Sequence, residues 1–416
     1  MSDKIKIFTI SDHPLSPSGV GTQTKYIIEG MLKTGKYQFF SFGGAIQHAS
    51  KEPQKTEEWG DDWIIWPVDG YGTADQVRAM IYQNKIDILY FMTDPRFYSW
   101  LWQIENEIRA HVPMIYYHVW DNYPYPTFNR QAYRSNDHVA CISNVTYDIL
   151  QNVAPETDSS YIPHAVDGDI FKVTSIEDAS AYKKSKGLEN KFVCFWNSRN
   201  ARRKQSGTLI WWFKEFLDKV GHDKAALIMH TDTKDQHGQD LEAIIHELGL
   251  VNGEVLFSRD KIQAIDLATV YGMADLTICI SDAEGFGLST LESLSCGTPI
   301  LVNMTGGLQD QVTDGENWFG IGLEPASKAI IGSQDVPYIY EDRLNKEEFL
   351  EALEKLYNMT PEERSNLGAA GRKWTEDRFN FDDFIDRWDK LFTSTYEEKG
   401  SWDTRTGYVP YEVRVF

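Results

Sequence analysis

Short apolar runs alternate along the chain with segments whose apolar residues recur every three or four positions. That alternation is the mark of a parallel sheet covered by helices on both faces. In the first half, Ile5–Ile10, Gln38–Phe42, Ile86–Met92, Met114–His118 and His138–Ile142 read as strands, with a Ser/Pro/Gly loop and a helix over Thr24–Leu32 after the first. A polar stretch, Ala154–Ser160, then leads through Tyr161–Asp167 to a change of domain. Beyond it the pattern restarts. Phe192–Trp196, Ala225–His230, Glu254–Phe257, Leu276–Ser281 and Pro299–Asn303 read as strands, and Gly207–Val220, Asp240–Leu248, Ile265–Met273 and Leu288–Ser295 as helices between them. Thr360-Pro-Glu-Glu363 starts another helix, with a Thr cap, Pro in the first turn and Glu three residues on. Phe381, Phe384, Ile385, Trp388 and Phe392 share a face of the last one. The expectation is two α/β domains, residues 1–168 and 169–384, with a C-terminal helix over 385–416 packing back on the first. Small-molecule sites form in the cleft between such halves.

Composition narrows the partners. The 416 residues carry 41 Lys and Arg against 62 Asp and Glu, a net charge of −21, which argues against gripping nucleic acid or docking on anionic membrane. Hydrophobic residues make up 42% of the chain, enough apolar surface for an ordered core. No apolar run reaches the roughly 18 residues of a membrane span, and no signal-peptide pattern precedes Ile5, so a cytoplasmic protein is expected. Cys141, Cys194, Cys279 and Cys296 are far apart, three of them in or beside apolar runs, and read as buried thiols.

Against this acidic background two segments stand out. Ser281-Asp-Ala-Glu-Gly-Phe-Gly-Leu-Ser-Thr-Leu-Glu-Ser293 joins a strand to a helix through Gly285 and Gly287. Glycines let backbone amides approach a ligand, and the helix N-terminus offers unpaired N–H groups and a positive dipole to an anion. Glu284 falls in the loop and Glu292 in the second helical turn. The plainer alternative is a strand–helix turn with Glu292 on a solvated face. The second segment, Asn197-Ser-Arg-Asn-Ala-Arg-Arg-Lys-Gln205, puts four cations in six positions at a strand's C-terminal end, where open α/β sheets bind ligands. Arg suits a diphosphate by forked hydrogen bonds and Lys as a point charge.

Together these residues resemble a known family. Glu284-x7-Glu292 enclosing Gly285-Phe-Gly287 resembles the E-x7-E motif of the GT-B glycosyltransferases of family 4. Arg199 and Lys204 resemble that family's phosphate-binding pair, and Pro17-Ser-Gly-Val-Gly21 its N-terminal glycine loop. His118 resembles its acceptor-side histidine, although Val119 and Trp120 stand between it and Asp121. Ile162–Asp167, Thr305-Gly-Gly307 and Asp314-Gly-Glu-Asn317 resemble further segments in the family's order.

The resemblance implies a GT-B fold, two Rossmann-like domains facing a central cleft, and a retaining, metal-independent transfer of a hexose from a nucleotide-diphosphate donor to a glycan or other hydroxyl acceptor. No cofactor is expected beyond that donor. By the resemblance, Arg199, Lys204 and the Leu288 and Ser289 amides hold the diphosphate. Glu292 takes the ribose hydroxyls, and Glu284 with the Gly285, Phe286 and Gly287 backbone takes the sugar. Gly19 and Gly21 approach the phosphate from the other side, and His118 contacts sugar or acceptor. The aromatic loop with Trp120, Asp121 and Tyr123 is the candidate acceptor surface.

Competing readings are weaker. Gly19-Val-Gly-Thr-Gln-Thr24 lacks the third glycine of a dinucleotide fingerprint, and the next strand ends without an acidic residue for a ribose. Asp167-Gly-Asp169 lies at the domain junction and reads as a linker turn rather than a metal site. A nucleotide-sugar epimerase, a sugar phosphorylase or a non-catalytic sugar-binding protein on the same fold remain alternatives.

Overall fold

The computed structural model describes residues 4–411, which fall into two compact units: residues 4–164 with 382–411, and residues 165–381.

The first unit is built on an eight-stranded sheet. Its strands are β1 (Ile5–Asp12), β2 (Tyr37–Gly44), β3 (Gln54–Lys55), β4 (Trp63–Pro67), β5 (Ile88–Met92), β6 (Met114–His118), β7 (His138–Cys141) and β8 (Ser159–Tyr161), in the order β3-β4-β2-β1-β5-β6-β7-β8. Every neighbour pair is parallel except β3 with β4. Strands buried on both faces need continuous apolar runs, and Ile88–Met92 and Met114–His118 are buried throughout. The last helix, Phe381–Lys399, lays Trp388 against Tyr90 and Tyr117, with ring centroids 5.3 and 4.8 Å apart. It ends at Lys399, short of the expected 385–416 span. Gly400 follows in the left-handed region (φ 60°), and the chain turns through Trp402–Thr404, where the Trp402 indole donates to the Ile86 carbonyl. Residues 412–416 of that expected helix lie outside the described residues.

The second unit carries β9 (Phe192–Asn197), β10 (Ala225–His230), β11 (Val255–Ser258), β12 (Leu276–Cys279), β13 (Ile300–Asn303) and β14 (Gly320–Leu323), all parallel, in the order β11-β10-β9-β12-β13-β14. The strand order reverses between β9 and β12, and ligands of open α/β sheets gather at the strand ends beside such a switch. Phe213, Phe216 and Leu217 on the helix Ser206–Val220 meet Phe349, Leu353 and Leu356 on the helix Lys346–Asn358 over the sheet. The helix Pro361–Arg378 begins in a capping box between Thr360 and Glu363. An antiparallel hairpin, β15 (Ser327–Ile331) with β16 (Ile339–Arg343), stands apart from both sheets; the apolar pattern did not reveal it. All four cysteines are buried and free.

Candidate functional site

In the second unit, the loops after β9 and β12 converge. After β12, the Ser281–Gly287 loop runs into the helix Leu288–Ser295. Gly287 caps that helix with φ 91° and ψ 66°, a conformation L side chains rarely adopt. Having no side chain, it leaves the first-turn amides without a side-chain cap. Around it, Gln311 donates to the Phe286 and Gly287 carbonyls at 2.7 and 3.1 Å, and the Gly307 amide to the Glu284 carbonyl at 3.0 Å. Gly306 passes so close that a Cβ there would stand 1.8 Å from the Glu284 carbonyl oxygen. Short of moving the loop, no other residue fits.

The loop after β9 contributes the cations. Lys204 donates to the Glu284 carboxylate, and Arg203 Nη1 lies 3.6 Å from the same oxygen. Both partners of the Lys204–Glu284 pair are largely buried, with side chains 11% and 14% exposed. Burial alone would raise the Glu284 carboxyl, but the Lys204 and Arg203 charges outweigh it and hold it below its ordinary value. Glu284 is thus an ionised acceptor, not a proton donor. One donor of the Lys204 ammonium is used on it, and an ammonium has three. Gln205, in the left-handed region at φ 57°, is pinned there by its amide on Asp282 at 2.6 Å and by Thr208 donating to its carbonyl at 2.7 Å.

Glu292 occupies the second turn of the same helix. Burial pushes its carboxyl up to about 7, against the pull of Tyr271, whose hydroxyl donates to it at 2.7 Å. Asn197, at the end of β9, donates in turn to the Tyr271 oxygen at 2.8 Å. This Asn197–Tyr271–Glu292 chain was not foreseen, because nothing in the helical spacing of Tyr271 distinguishes a hydroxyl with work from a core ring. Arg199 stands apart from Lys204's partner. It forks onto Asp235, at 2.6 and 3.1 Å, with its side chain 59% exposed. Arg202 pairs with Glu341 of the hairpin. Of the four cations, only Arg203 and Lys204 face Glu284.

The expected residues of the first unit are placed differently from the reading of the sequence. Gly19 and Gly21 do not form an open loop. The helix begins at Gly19, and Ser18 caps it by accepting the Gly21 amide at 2.9 Å, so that amide is already satisfied. His118 has no exposed surface; its Nε2 lies 2.8 Å from the Tyr133 hydroxyl, and burial takes its pKa down to about 3. The imidazole is thus a neutral group packed against Tyr133. Trp120 is 5% exposed, its indole donating to the Asn122 carbonyl. Asp121 is half-buried. Tyr123 and Tyr125 both donate to Asp148, at 2.8 and 3.1 Å, and present neighbouring rings 5.4 Å apart. Among the described residues, no group of three or more His, Cys, Asp or Glu could hold a metal ion. No helix among them is long and apolar enough to cross a membrane.

Two sheets of this kind, with a glycine loop and an uncapped helix at a strand end, are those of the GT-B fold. Sucrose-phosphate synthase of Thermosynechococcus elongatus superposes with a TM-score of 0.74 at 17% identity, over 95% of this chain and 100% of that one. Anabaena Alr3699/HepE, crystallised with UDP and glucose, gives 0.70 at 17% identity, over 94% and 100%. At such identity the likeness speaks for the fold. Residues 178–374 match the family model described as Glycosyl transferases group 1. That stretch contains every charged residue of the β9 and β12 loops. Among curated relatives, the D-inositol 3-phosphate glycosyltransferase of Paenarthrobacter aurescens (strain TC1) is 36% identical over 76 residues. The alignment covers 18% of this chain and 18% of that protein, so the two share a segment rather than a whole length. Fold, family match and relatives together support a transferase of the GT-B glycosyltransferase class.

Proposed function

We propose that the protein transfers a hexose from a nucleoside-diphosphate donor to a hydroxyl acceptor, with retention at the anomeric carbon and without a metal ion. The observation that carries this reading is the Lys204–Glu284 pair set against an uncapped helix N-terminus at a strand end. Lys204 and the Leu288 and Ser289 amides take the diphosphate. Arg199 joins them by exchanging Asp235 for phosphate. Ionised Glu284 and the Gly285–Gly287 backbone hold the sugar, and Glu292 accepts from the ribose hydroxyls.

Breaking the anomeric C–O bond leaves negative charge on the diphosphate and positive charge on the sugar. A fixed cation and a helix dipole stabilise the first, and a carboxylate that stays ionised stabilises the second. The acceptor oxygen attacks from the side the diphosphate leaves, and its proton goes to the departing phosphate oxygen. No protein nucleophile is required. The Tyr123–Tyr125 surface is the acceptor platform, through ring faces rather than through His118.

The test incubates the purified protein with UDP-, GDP- and ADP-sugars and a panel of acceptors including inositol phosphates and sugar phosphates. Of these, UDP and the inositol phosphates follow the names of similar proteins. Nucleotide release that depends on acceptor, with the product's anomeric configuration unchanged by NMR, supports the reading. Inverted product overturns retention, epimerised donor overturns transfer, and binding without turnover overturns the enzyme.

A further inference from the structure

The hairpin of β15 and β16 buries, of all the side chains on its two strands, only Glu341. Its other face is solvated, with Ile330 73% exposed. An isolated two-stranded hairpin is marginal in water. One that merely covered the unit would bury an apolar residue, since taking a carboxylate out of water costs several kcal/mol. The buried charge is spent on the two loops of the site instead. Glu341 accepts both forks of Arg202, at 2.8 and 2.6 Å, and Arg343 Nη2 at 3.0 Å. Arg343 Nη1 lies 2.6 Å from Asp282, whose carboxylate also accepts from Gln205 at 2.6 Å. The backbone closes the lattice: the Asp282 amide donates to the Arg203 carbonyl at 2.8 Å, and the Asp342 amide to the Asp282 carbonyl at 2.9 Å.

Gln205 adjoins Lys204, Arg202 is two residues before it, and Asp282 is two residues from Glu284. The lattice therefore grips both loops just beside the residues that meet across them. We propose that the hairpin at residues 327–343 is a brace, with Glu341 and Arg343 as positioning residues that fix where Lys204 and Glu284 stand toward the donor. The donor's place rests on the function proposed above; the brace itself does not. A forked, charge-assisted bond restrains direction as well as distance. Without it, Lys204 keeps its charge but loses its fixed place.

The experiment compares wild type with Glu341→Gln in two readouts. Acylation of the Lys204 amine by a succinimidyl ester, followed by peptide mass spectrometry, reports the brace with no donor present. An increase of about 10-fold, equivalent to about 1.4 kcal/mol of easier opening, is expected. Steady-state kinetics with the donor that the wild type uses should show a KM raised about 10-fold, through Lys204, a kcat lowered several-fold, through Glu284, and a melting temperature within a few degrees. Unchanged Lys204 labelling overturns the brace, as does raised labelling with an unchanged donor KM. A purely structural role would lower the melting temperature alone. A wild type that turns over no donor defeats the proposed function, and the labelling still decides the brace. If Glu341→Gln does not fold, Arg343→Lys carries the same two readouts.

Discussion

Both units send a strand through a Ser- and Gly-containing turn into a helix, and the two turns end differently. After β1, Ser18 caps the helix and consumes the Gly21 amide. After β12, Gly287 stands at the same position with no side chain to give. The contrast extends to the charged and ionisable groups nearby. His118 is packed neutral against Tyr133, whereas Lys204 and Glu284 meet as ions at the mouth of their helix. A turn that satisfies itself builds structure. One that leaves its first-turn amides without a side-chain cap beside paired charges is where the proposed function places a phosphate.

Replacing Glu284 should have the largest effect. With Glu284→Gln the donor still binds, since Lys204 and the helix amides remain. The rate of transfer falls about 100-fold or more, the size expected when a preorganised charge facing the transition state is removed. Single-turnover rates at saturating donor test it, and an unchanged rate removes Glu284 from the chemistry. Lys204→Ala strikes binding instead: donor affinity by calorimetry should drop about 100-fold, the upper range for a charged hydrogen bond. It also leaves the Glu284 carboxylate buried without its cation, so stability should fall, by about 3–5 kcal/mol if the site cannot relax. Wild-type affinity in that variant would make the second turn no more an anion site than the first.

Two pairs of buried groups, one in each unit, should also answer pH in opposite directions. His118 and His164 are each held near 3 by burial, against 6.5 in the unfolded chain. Their contribution is full above pH 6.5 and is lost as pH falls toward 3, because the unfolded state then binds more protons. Glu292, near 7, and Asp282, near 6, are raised by burial from 4.5 and 3.8. Their contribution is full below those unfolded values and is lost as pH rises through 6 to 7. Each group can alter stability by up to about 1.4 kcal/mol per pH unit in its window. Urea unfolding at pH 7 and pH 5 should therefore show the His118→Asn variant losing about 2 kcal/mol less than wild type over that interval. An identical pH dependence would mean that His118 is not buried neutral.

Much of this was legible in the sequence, and the part that was not has physical reasons. Strands buried on both faces announce themselves as apolar runs, so Met114–His118 and Ala225–His230 were read to the residue. The helix after β1 was read five residues late, because Gly19 and Gly21 look like loop and only the Ser18 side chain, reaching the Gly21 amide, makes them a first turn. In β16, Ile-Tyr-Glu-Asp-Arg has no alternation to follow, since its buried member is Glu341 and its exposed members are partly aromatic. Within the site, the residue types after β9 pointed to anion binding as a group, but not which cation would face Glu284. That depends on Asp235 and Glu341, 36 and 139 residues away from Arg199 and Arg202, each claiming one arginine.

The smallest effect belongs to the capped turn. Ser18→Ala removes the acceptor of the Gly21 amide and should cost about 1 kcal/mol, the usual loss for a Ser cap. Thermal or urea unfolding measures it. The amide it exposes lies in a turn where a Cβ on Gly21 would stand 2.6 Å from the His13 carbonyl oxygen and 3.0 Å from Ser18 Oγ. Space there is filled by the turn's own backbone and hydroxyls, so opening the amide should give a phosphate no purchase. Donor KM in Ser18→Ala is therefore expected to match wild type. A KM that falls when the cap is removed would show Ser18 and phosphate competing for one amide, and the difference between the two turns would then be one of occupancy rather than of kind.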